Sequence, residues 1–116
     1  MIIINELKRE YMSNQLLYNP HAGEILKEEF LRPLDMSQNA LAKAIDVPPN
    51  RIHAIIRGIR RVTANTDLRL CKFFSLSNGY FLRLQIDHEI METNKQIKTE
   101  LQHIKVFNRS MHIAAM

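Results

Sequence analysis

Apolar residues recur at helical spacing along most of the chain from Pro20 onward. The first stripe consists of Ile25, Leu26, Phe30 and Leu34. Spacings of three and four residues predict a helix with one buried face. Pro33 disfavours helical geometry in the residue before it, so this helix is expected to end near Arg32. Residues 1–19 hold apolar residues without this period and are interpreted as an N-terminal extension.

Residues 38–57, with the sequence QNALAKAIDVPPNRIHAIIR, predict two short helices joined by a tight turn. Ser37 is a favourable N-cap for the first of them. Asp46 tolerates the left-handed conformation that such a turn needs. Pro49 suits the first turn of the second helix, and Gly58 is typical of a helix C-terminus. The pattern indicates a helix-turn-helix, the arrangement that places one helix in the major groove of DNA.

The apolar positions of this segment have the spacing of two helices that pack at a steep angle. Five of them are aliphatic, namely Leu41, Ile45, Val47, Ile52 and Ile55. Ala42 is small, as the closest approach of two helices requires, and Asp46 replaces the glycine usual in the turn. The opposite face is left to polar and basic side chains. Its alternative interpretation is an ordinary solvated surface.

The polar face offers side chains suited to both bases and phosphates. The candidates for base contacts are Asn50, Arg51, His53, Ala54 and Arg57. Asparagine pairs with adenine, arginine pairs with guanine, and alanine contacts the thymine methyl group. A lone helical histidine is often structural, so His53 keeps that alternative. The candidates for phosphate contacts, which position the protein on DNA, are Gln38, Lys43, Arg60 and Arg61.

Two further helices are predicted. Thr66 or Asn65 is expected to cap a fourth helix over residues 67–74. Its buried residues are expected to be Leu68, Cys71 and Phe74. A fifth helix is predicted from Tyr80 to about Phe107, because no glycine or proline interrupts that stretch.

The distal half of the fifth helix carries an apolar seam. Its members are Ile90, Ile97, Leu101 and Ile104. At 1.5 Å per residue the helix would be about 40 Å long, more than a domain of this size covers. An exposed apolar stripe needs a partner, and a second copy is the simplest, so the seam predicts a homodimer. The alternative is that the seam folds back onto the chain's own core.

Length and charge describe one domain with a local basic patch. The 116 residues allow a single modest core, and the formal net charge is +4. No acidic residue lies between Asp46 and Asp67. That stretch contains Arg51, Arg57, Arg60 and Arg61. A patch of one sign on one segment indicates nucleic-acid binding.

The single cysteine, Cys71, excludes an internal disulfide and suits a reducing cytosol. It is expected to act as a small core residue because its neighbours are apolar. No run of residues is apolar enough to span a membrane, and no signal-peptide pattern is present. The expected location is therefore the cytoplasm, without a membrane partner.

No catalytic, metal-binding or cofactor-binding constellation is recognisable in the sequence. The histidines are His21, His53, His88, His103 and His112. None has a second ligand at metal-binding spacing with a further ligand nearby, so neither an enzyme nor a cofactor is expected. RNA binding would favour exposed aromatic residues, and the tyrosines do not cluster with the arginines. Double-stranded DNA is the expected partner.

The motifs HAGEIL, VPPNRI and TDLRL, followed by FLRLQ, occur in this order within residues 20–85. This combination resembles the HigA-type antitoxins, a branch of the Xre-like (lambda-repressor-like) helix-turn-helix regulators. Ala22 stands where the family commonly has proline, and Phe81 stands where it commonly has tryptophan.

The resemblance implies an all-α, five-helix lambda-repressor-like domain with a long C-terminal helix. It also implies a homodimer that binds a palindromic operator in its own promoter and neutralises a toxin, usually a HigB-type mRNA endonuclease. The alternative is a free-standing Xre-family repressor without a toxin. The expected division is an extension over residues 1–19, a DNA-binding domain over residues 20–85, and a helical segment for dimerisation over residues 86–116.

Overall fold

The computed structural model describes residues 19–108, and within this range the regular secondary structure is entirely helical. The helices are α1, which covers Ala22–Ile25 and continues as a π-helical segment over Leu26–Leu31, α2 (Gln38–Ala44), α3 (Pro49–Ile56), α4 (Ala64–Phe74), α5 (Tyr80–Gln96) and α6 (Lys98–Gln102). The predicted all-α class is confirmed. Nearly all of the predicted N-terminal extension and residues 109–116 of the predicted C-terminal segment lie outside the described residues.

Helix α1 begins at a reciprocal cap that the periodicity did not reveal. The His21 ring accepts hydrogen bonds through Nδ1 from the backbone N–H groups of Gly23 and Glu24, at 3.0 and 3.3 Å. The Glu24 carboxylate accepts in return from the His21 N–H. At the other end, the Arg32 N–H donates to the Lys27 carbonyl five residues back, at 2.9 Å. The cap at His21 sets the start of α1, and the wider final turn ends it at the predicted position near Arg32.

Leu34 does not belong to the buried face of α1, contrary to the prediction. The helix ends before Pro33, so Leu34 lies in the following turn with 57% of its surface exposed. The other members of the predicted stripe, Ile25, Leu26 and Phe30, are buried. Phe30 packs near the ring of Phe81, with 5.4 Å between centroids.

The ring of Tyr80 lies beside this cluster. Burial, together with the Glu29 carboxylate and Cys71, raises the pKa of the Tyr80 hydroxyl.

Helix α4 begins earlier than predicted, and its buried face is rotated. Its N-cap is Thr63, whose Oγ1 accepts from the Thr66 N–H at 3.4 Å, so the expected capping role of Asn65 or Thr66 is wrong. Leu68 is 49% exposed, whereas Asp67 and Cys71 are 1% and 0% exposed. The expectation that Leu68 is buried fails because a carboxylate faces the interior instead.

The buried carboxylate of Asp67 holds the start of α5. Its Oδ2 accepts from the Gly79 N–H at 2.6 Å, and its Oδ1 accepts from the Phe81 and Leu82 N–H groups at 2.9 and 3.1 Å. The first N–H groups of a helix have no partner within the helix. Asp67 of α4 therefore supplies the hydrogen-bond acceptor that an N-cap side chain normally provides, and it fixes α5 against α4.

The predicted continuous helix from Tyr80 to Phe107 is interrupted at Ile97, where φ is −109° and ψ is 22°. The residues around the break, such as Thr93, Asn94 and Thr99, have weak helix propensity, and little core packing supports them there. The short α6 then ends at Gln102. The His103 ring donates through Nδ1 to the Thr99 carbonyl at 2.8 Å, the carbonyl that would accept from the His103 backbone N–H if the α-helix continued.

The apolar seam stays exposed on α5 and α6. The exposed fractions are 60% for Ile90, 37% for Ile97, 41% for Leu101 and 67% for Ile104. In the described residues the seam is therefore not folded onto the core, and the alternative stated for it is wrong. With Ile86, most of these residues line a shallow groove of about 380 Å³. Across residues 19–108, no helix has both the length and the apolarity needed to cross a membrane.

The start of the described chain is fastened to the middle of α5. The Asn19 amide donates to the His88 carbonyl and to the Glu92 carboxylate, at 3.0 and 2.9 Å. The His88 ring contacts the Asn19 carbonyl at 2.8 Å. The Asn19 hydrogen bond, with the nearby Lys95 ammonium, lowers the pKa of Glu92. These contacts attach the entry to α1 onto α5.

Candidate nucleic-acid interface

The predicted helix-turn-helix forms from α2 and α3, with the expected local signals. The Ser37 Oγ accepts from the Ala40 N–H at 3.0 Å and caps α2. Asp46 adopts the left-handed conformation, with φ of 57°, in the turn. Pro49 opens α3, and Gly58 follows its end with φ of 75°. The sequence prediction is confirmed for both helices and for the turn between them.

The inward faces of α2 and α3 bury the residues that the spacing predicted. The exposed fraction is 8% or less for all of them, namely Leu41, Ala42, Ile45, Val47, Ile52 and Ile55. Helix α1 packs on the back of α3 at Gly23. A Cβ atom at Gly23 would lie 1.9 Å from the Ile55 carbonyl oxygen. The orientation of α3 is therefore fixed on one side by α2 and on the other by α1.

The candidate base-contact residues share the face of α3 that is not buried. Asn50 and Arg57 are exposed, while Arg51, His53 and Ala54 are half-buried. Asn50, His53 or Ala54, and Arg57 follow one another at spacings of three and four, so they form one row along the helix. An exposed helical row of amide, imidazole, methyl and guanidinium groups matches the donor and acceptor chemistry of a major groove.

Arg51 differs from the others because part of its side chain is enclosed. Its Nε is buried and has no hydrogen-bond partner in the described part of the chain. A buried donor without an acceptor is uncommon in folded proteins. Because Nε is buried while the residue as a whole is half-buried, fewer positions are open to this guanidinium than to that of a fully exposed arginine.

His53 is tied to the neighbouring helix. Its Nε2 lies 3.0 Å from the Oδ1 of Asn39, the second residue of α2. The two residues are 14 positions apart in sequence. This contact joins the polar faces of α2 and α3. Asn39 was not among the residues that the sequence singled out.

The candidate phosphate contacts lie at both ends of the helix pair. Gln38 lines a hollow of about 280 Å³ together with Lys27 of α1 and Arg32, the residue after α1. Lys43 is exposed on α2. Asp35 lines the same hollow, and Arg32 pairs with Glu28 at 3.1 Å, so the two cations there are balanced by two carboxylates.

The basic loop after α3 is held by a buried amide. Gln85 of α5 accepts from the Val62 N–H at 2.6 Å and donates to the Val62 carbonyl at 3.0 Å. Arg60 and Arg61, which precede Val62, are exposed. Arg61 forms an ion pair with Glu89 of α5. The loop is thus positioned by α5, and one of its two arginines is already neutralised.

Sequence reasoning missed the residues whose roles depend on distant contacts. Asn39, Gln85 and Glu89 each act on a residue at least 14 positions away. The only available signal was the FLRLQ motif, which contains Gln85. The first-turn position of Asn39 on α2 was visible, but its pairing with His53 was not.

Comparison with known proteins agrees with this geometry. The family described as Helix-turn-helix matches residues 26–78. Virulence-associated protein I of Dichelobacter nodosus is 45% identical over 78 residues, which cover 66% of this chain and 72% of that protein.

Solved structures match over a longer stretch. An addiction module antidote protein of a HigA family from Coxiella burnetii is 37% identical, with a TM-score of 0.72 over 78% of this chain and 100% of that chain. The Pseudomonas aeruginosa antitoxin HigA, solved with the higBA promoter, is 28% identical, with a TM-score of 0.72 over the same shares of 78% and 100%. The chain therefore belongs to the Xre-like helix-turn-helix family, in its HigA-type branch.

Proposed function

We propose that this protein is a sequence-specific DNA-binding antitoxin. In this proposal it binds a palindromic operator in its own promoter as a homodimer and represses its own transcription. It also neutralises a partner toxin of the HigB type, an mRNA endonuclease. The observation that carries the DNA-binding part is the α2–α3 pair, whose inward face is buried and whose outer face is polar and basic, with no acidic residue between Asp46 and Asp67.

Helix α3 is proposed as the recognition helix. Its N-terminal residues are the ones that reach base edges when such a helix lies in the groove, which gives Asn50 and Arg51 the central roles. Ala54 is proposed to contact a thymine methyl group and Arg57 a guanine. His53 lies in the same row, with its Nε2 bonded to Asn39.

The remaining basic and amide residues are proposed to grip the backbone on either side. Gln38 and Lys43 belong to α2, the helix that crosses the phosphate backbone in this arrangement. Arg60 and Arg61 follow α3 on the opposite flank. Because Arg61 pairs with Glu89, its contribution to phosphate binding is expected to be smaller than that of Arg60.

The exposed seam on α5 and α6 is proposed as the dimer interface. Its residues Ile90, Ile97, Leu101 and Ile104 are apolar and exposed, and contiguous exposed apolar patches mark association sites. A homodimer with two-fold symmetry presents two α3 helices to half-sites about 34 Å apart. In this proposal residues 20–85 bind DNA and residues 86–116 mediate association.

The toxin partner is proposed from the similarity to HigA proteins. The alternative is a free-standing Xre-family repressor, and the D. nodosus relative supports keeping it, because its name specifies no toxin. A small reading frame beside the gene would favour the antitoxin, and a repressor without a toxin would lack one.

Two measurements test the proposal. Fluorescence anisotropy compares binding of the full-length protein to a duplex from its own promoter and to a scrambled duplex of equal composition. Equal affinity for both would remove the claim of sequence-specific binding.

Co-expression with the product of the adjacent gene, followed by purification through a tag on that product, tests whether that product is a toxin partner. Recovery of the toxin alone would favour the free-standing repressor.

A further inference from the structure

A hydrogen bond between α2 and α3 involves a residue that is not among the proposed base or phosphate contacts. Asn39 is exposed in the first turn of α2, and its side chain accepts a hydrogen bond from His53 of α3 at 3.0 Å. We infer that Asn39 is a further DNA contact, which donates to a backbone phosphate, and that His53 is the residue that positions it. This inference rests on the proposed DNA-binding function.

The chemistry of the pair decides which atoms remain for DNA. With Oδ1 of Asn39 as the acceptor, His53 donates through Nε2–H. The carbonyl oxygen of the Asn39 amide is then occupied, while its two N–H donors stay available. Asparagine needs both its carbonyl and its N–H to pair with adenine. The paired Asn39 is therefore a donor, which suits a phosphate oxygen better than an adenine edge.

The position of Asn39 favours the same partner. In a helix-turn-helix the first helix crosses the DNA backbone, and Asn39 lies beside Gln38, already a candidate phosphate contact. The contact with His53 places the Asn39 amide on the outer side of the α2–α3 pair, in the first turn of the helix that crosses the backbone.

The hydrogen bond also explains why His53 acts through Asn39. An exposed amide samples several rotamers, and fixing it before binding lowers the ordering cost of the complex. His53 is half-buried and therefore less mobile than Asn39. Its Nε2, the ring nitrogen farthest from the backbone, is committed to the amide. In this arrangement His53 is a positioning residue and makes no base contact of its own.

A double-mutant cycle on the full-length protein tests the inference. Asn39→Ala, His53→Ala and the double variant are measured by anisotropy on the duplex from the protein's own promoter and on its scrambled counterpart, at one salt concentration. Asn39→Ala is expected to raise the Kd about tenfold, the usual effect of removing a hydrogen bond to a charged group. A loss of similar size on both duplexes supports the phosphate contact. A loss on the promoter duplex alone would indicate a base edge and would overturn the inference.

The double variant decides the role of His53. If His53 acts through Asn39, the double variant binds like Asn39→Ala alone, and His53→Gln, whose amide also donates, recovers part of the loss. Effects that multiply would overturn the inference and favour an independent base contact by His53. An unchanged Kd for Asn39→Ala would overturn it as well.

Controls separate folding and the proposed function from the inference. Alanine is the better helix former, so Asn39→Ala should keep the melting temperature. Asn78→Ala is the matched control, because it removes an exposed amide from the turn before α5, outside the candidate DNA contacts and the proposed dimer interface. A wild-type protein that binds both duplexes equally would contradict the specific function. The Asn39 contact would still be decided by the Kd values on the scrambled duplex.

Discussion

Replacement of Asp67 by asparagine tests how the fold fixes the start of α5. The substitution keeps the shape of the side chain and the Oδ1 atom that accepts from Phe81 and Leu82. It places an NH₂ group where Oδ2 accepts from the Gly79 N–H at 2.6 Å. Two donors then face each other at a distance at which only a donor and an acceptor are stable.

Two lost interactions determine the expected loss of stability, and the lower cost of burying a neutral side chain offsets part of it. A hydrogen bond to a charged group contributes about 1.5–3 kcal/mol, and the charge at the N-terminus of α5 adds about 0.3–1 kcal/mol. A neutral amide is less costly to bury than a carboxylate, and this offsets part of the loss. We therefore expect Asp67→Asn to lower the free energy of unfolding by about 2–3 kcal/mol. At roughly 4–8 °C per kcal/mol for a domain of this size, the melting temperature should fall by about 10–20 °C.

Urea unfolding followed by circular dichroism measures this loss at constant protein concentration. Asp87→Asn is the matched control, because Asp87 is an exposed carboxylate on α5 and its replacement changes the net charge equally. A difference between the two variants below about 0.5 kcal/mol, the usual limit for surface substitutions, would refute the stabilising role of the Asp67 hydrogen bonds.

Three further predictions concern packing, DNA contacts and association. Gly23→Ala should destabilise the fold by about 1–3 kcal/mol, since its Cβ would meet the Ile55 carbonyl at 1.9 Å; thermal unfolding without a loss would mean that α1 and α3 are less tightly packed than described. Arg51→Ala should weaken promoter binding by about 1–3 kcal/mol and relax preference at one base position, whereas Arg61→Ala should weaken binding to all sequences and reduce the salt slope. Identical behaviour of both arginine variants would contradict the division into base and phosphate contacts. Ile90→Lys should convert the proposed homodimer to a monomer in light scattering, and a dimer that persists in this variant would place the interface elsewhere.

The helix-turn-helix was predictable because its signals are local. Apolar spacing requires no knowledge of the rest of the fold, and caps such as Ser37 act within one turn. Asp46 in the left-handed conformation follows from its own side chain. Residues 38–57 therefore revealed their architecture from sequence alone, including which face is buried.

The features that sequence reasoning missed depend on distant partners. The sequence gives no sign that Asp67 faces inward, because its three donors are 12 to 15 residues away. The break at Ile97 comes from weak propensity combined with missing core packing, and only the second is a property of the fold. Asn39 and His53 form a hydrogen bond although they are 14 positions apart in sequence. No local motif indicates that Asn39 lies beside the candidate site.

The central claim is that α2 and α3 recognise an operator in the protein's own promoter. The most direct measurement is the ratio of the Kd values for the scrambled and the promoter duplex, obtained in one buffer near physiological salt. The account predicts a ratio of about 10³ or more, with protection of two half-sites about 34 Å apart. A ratio near one, with uniform protection along the DNA, would contradict it.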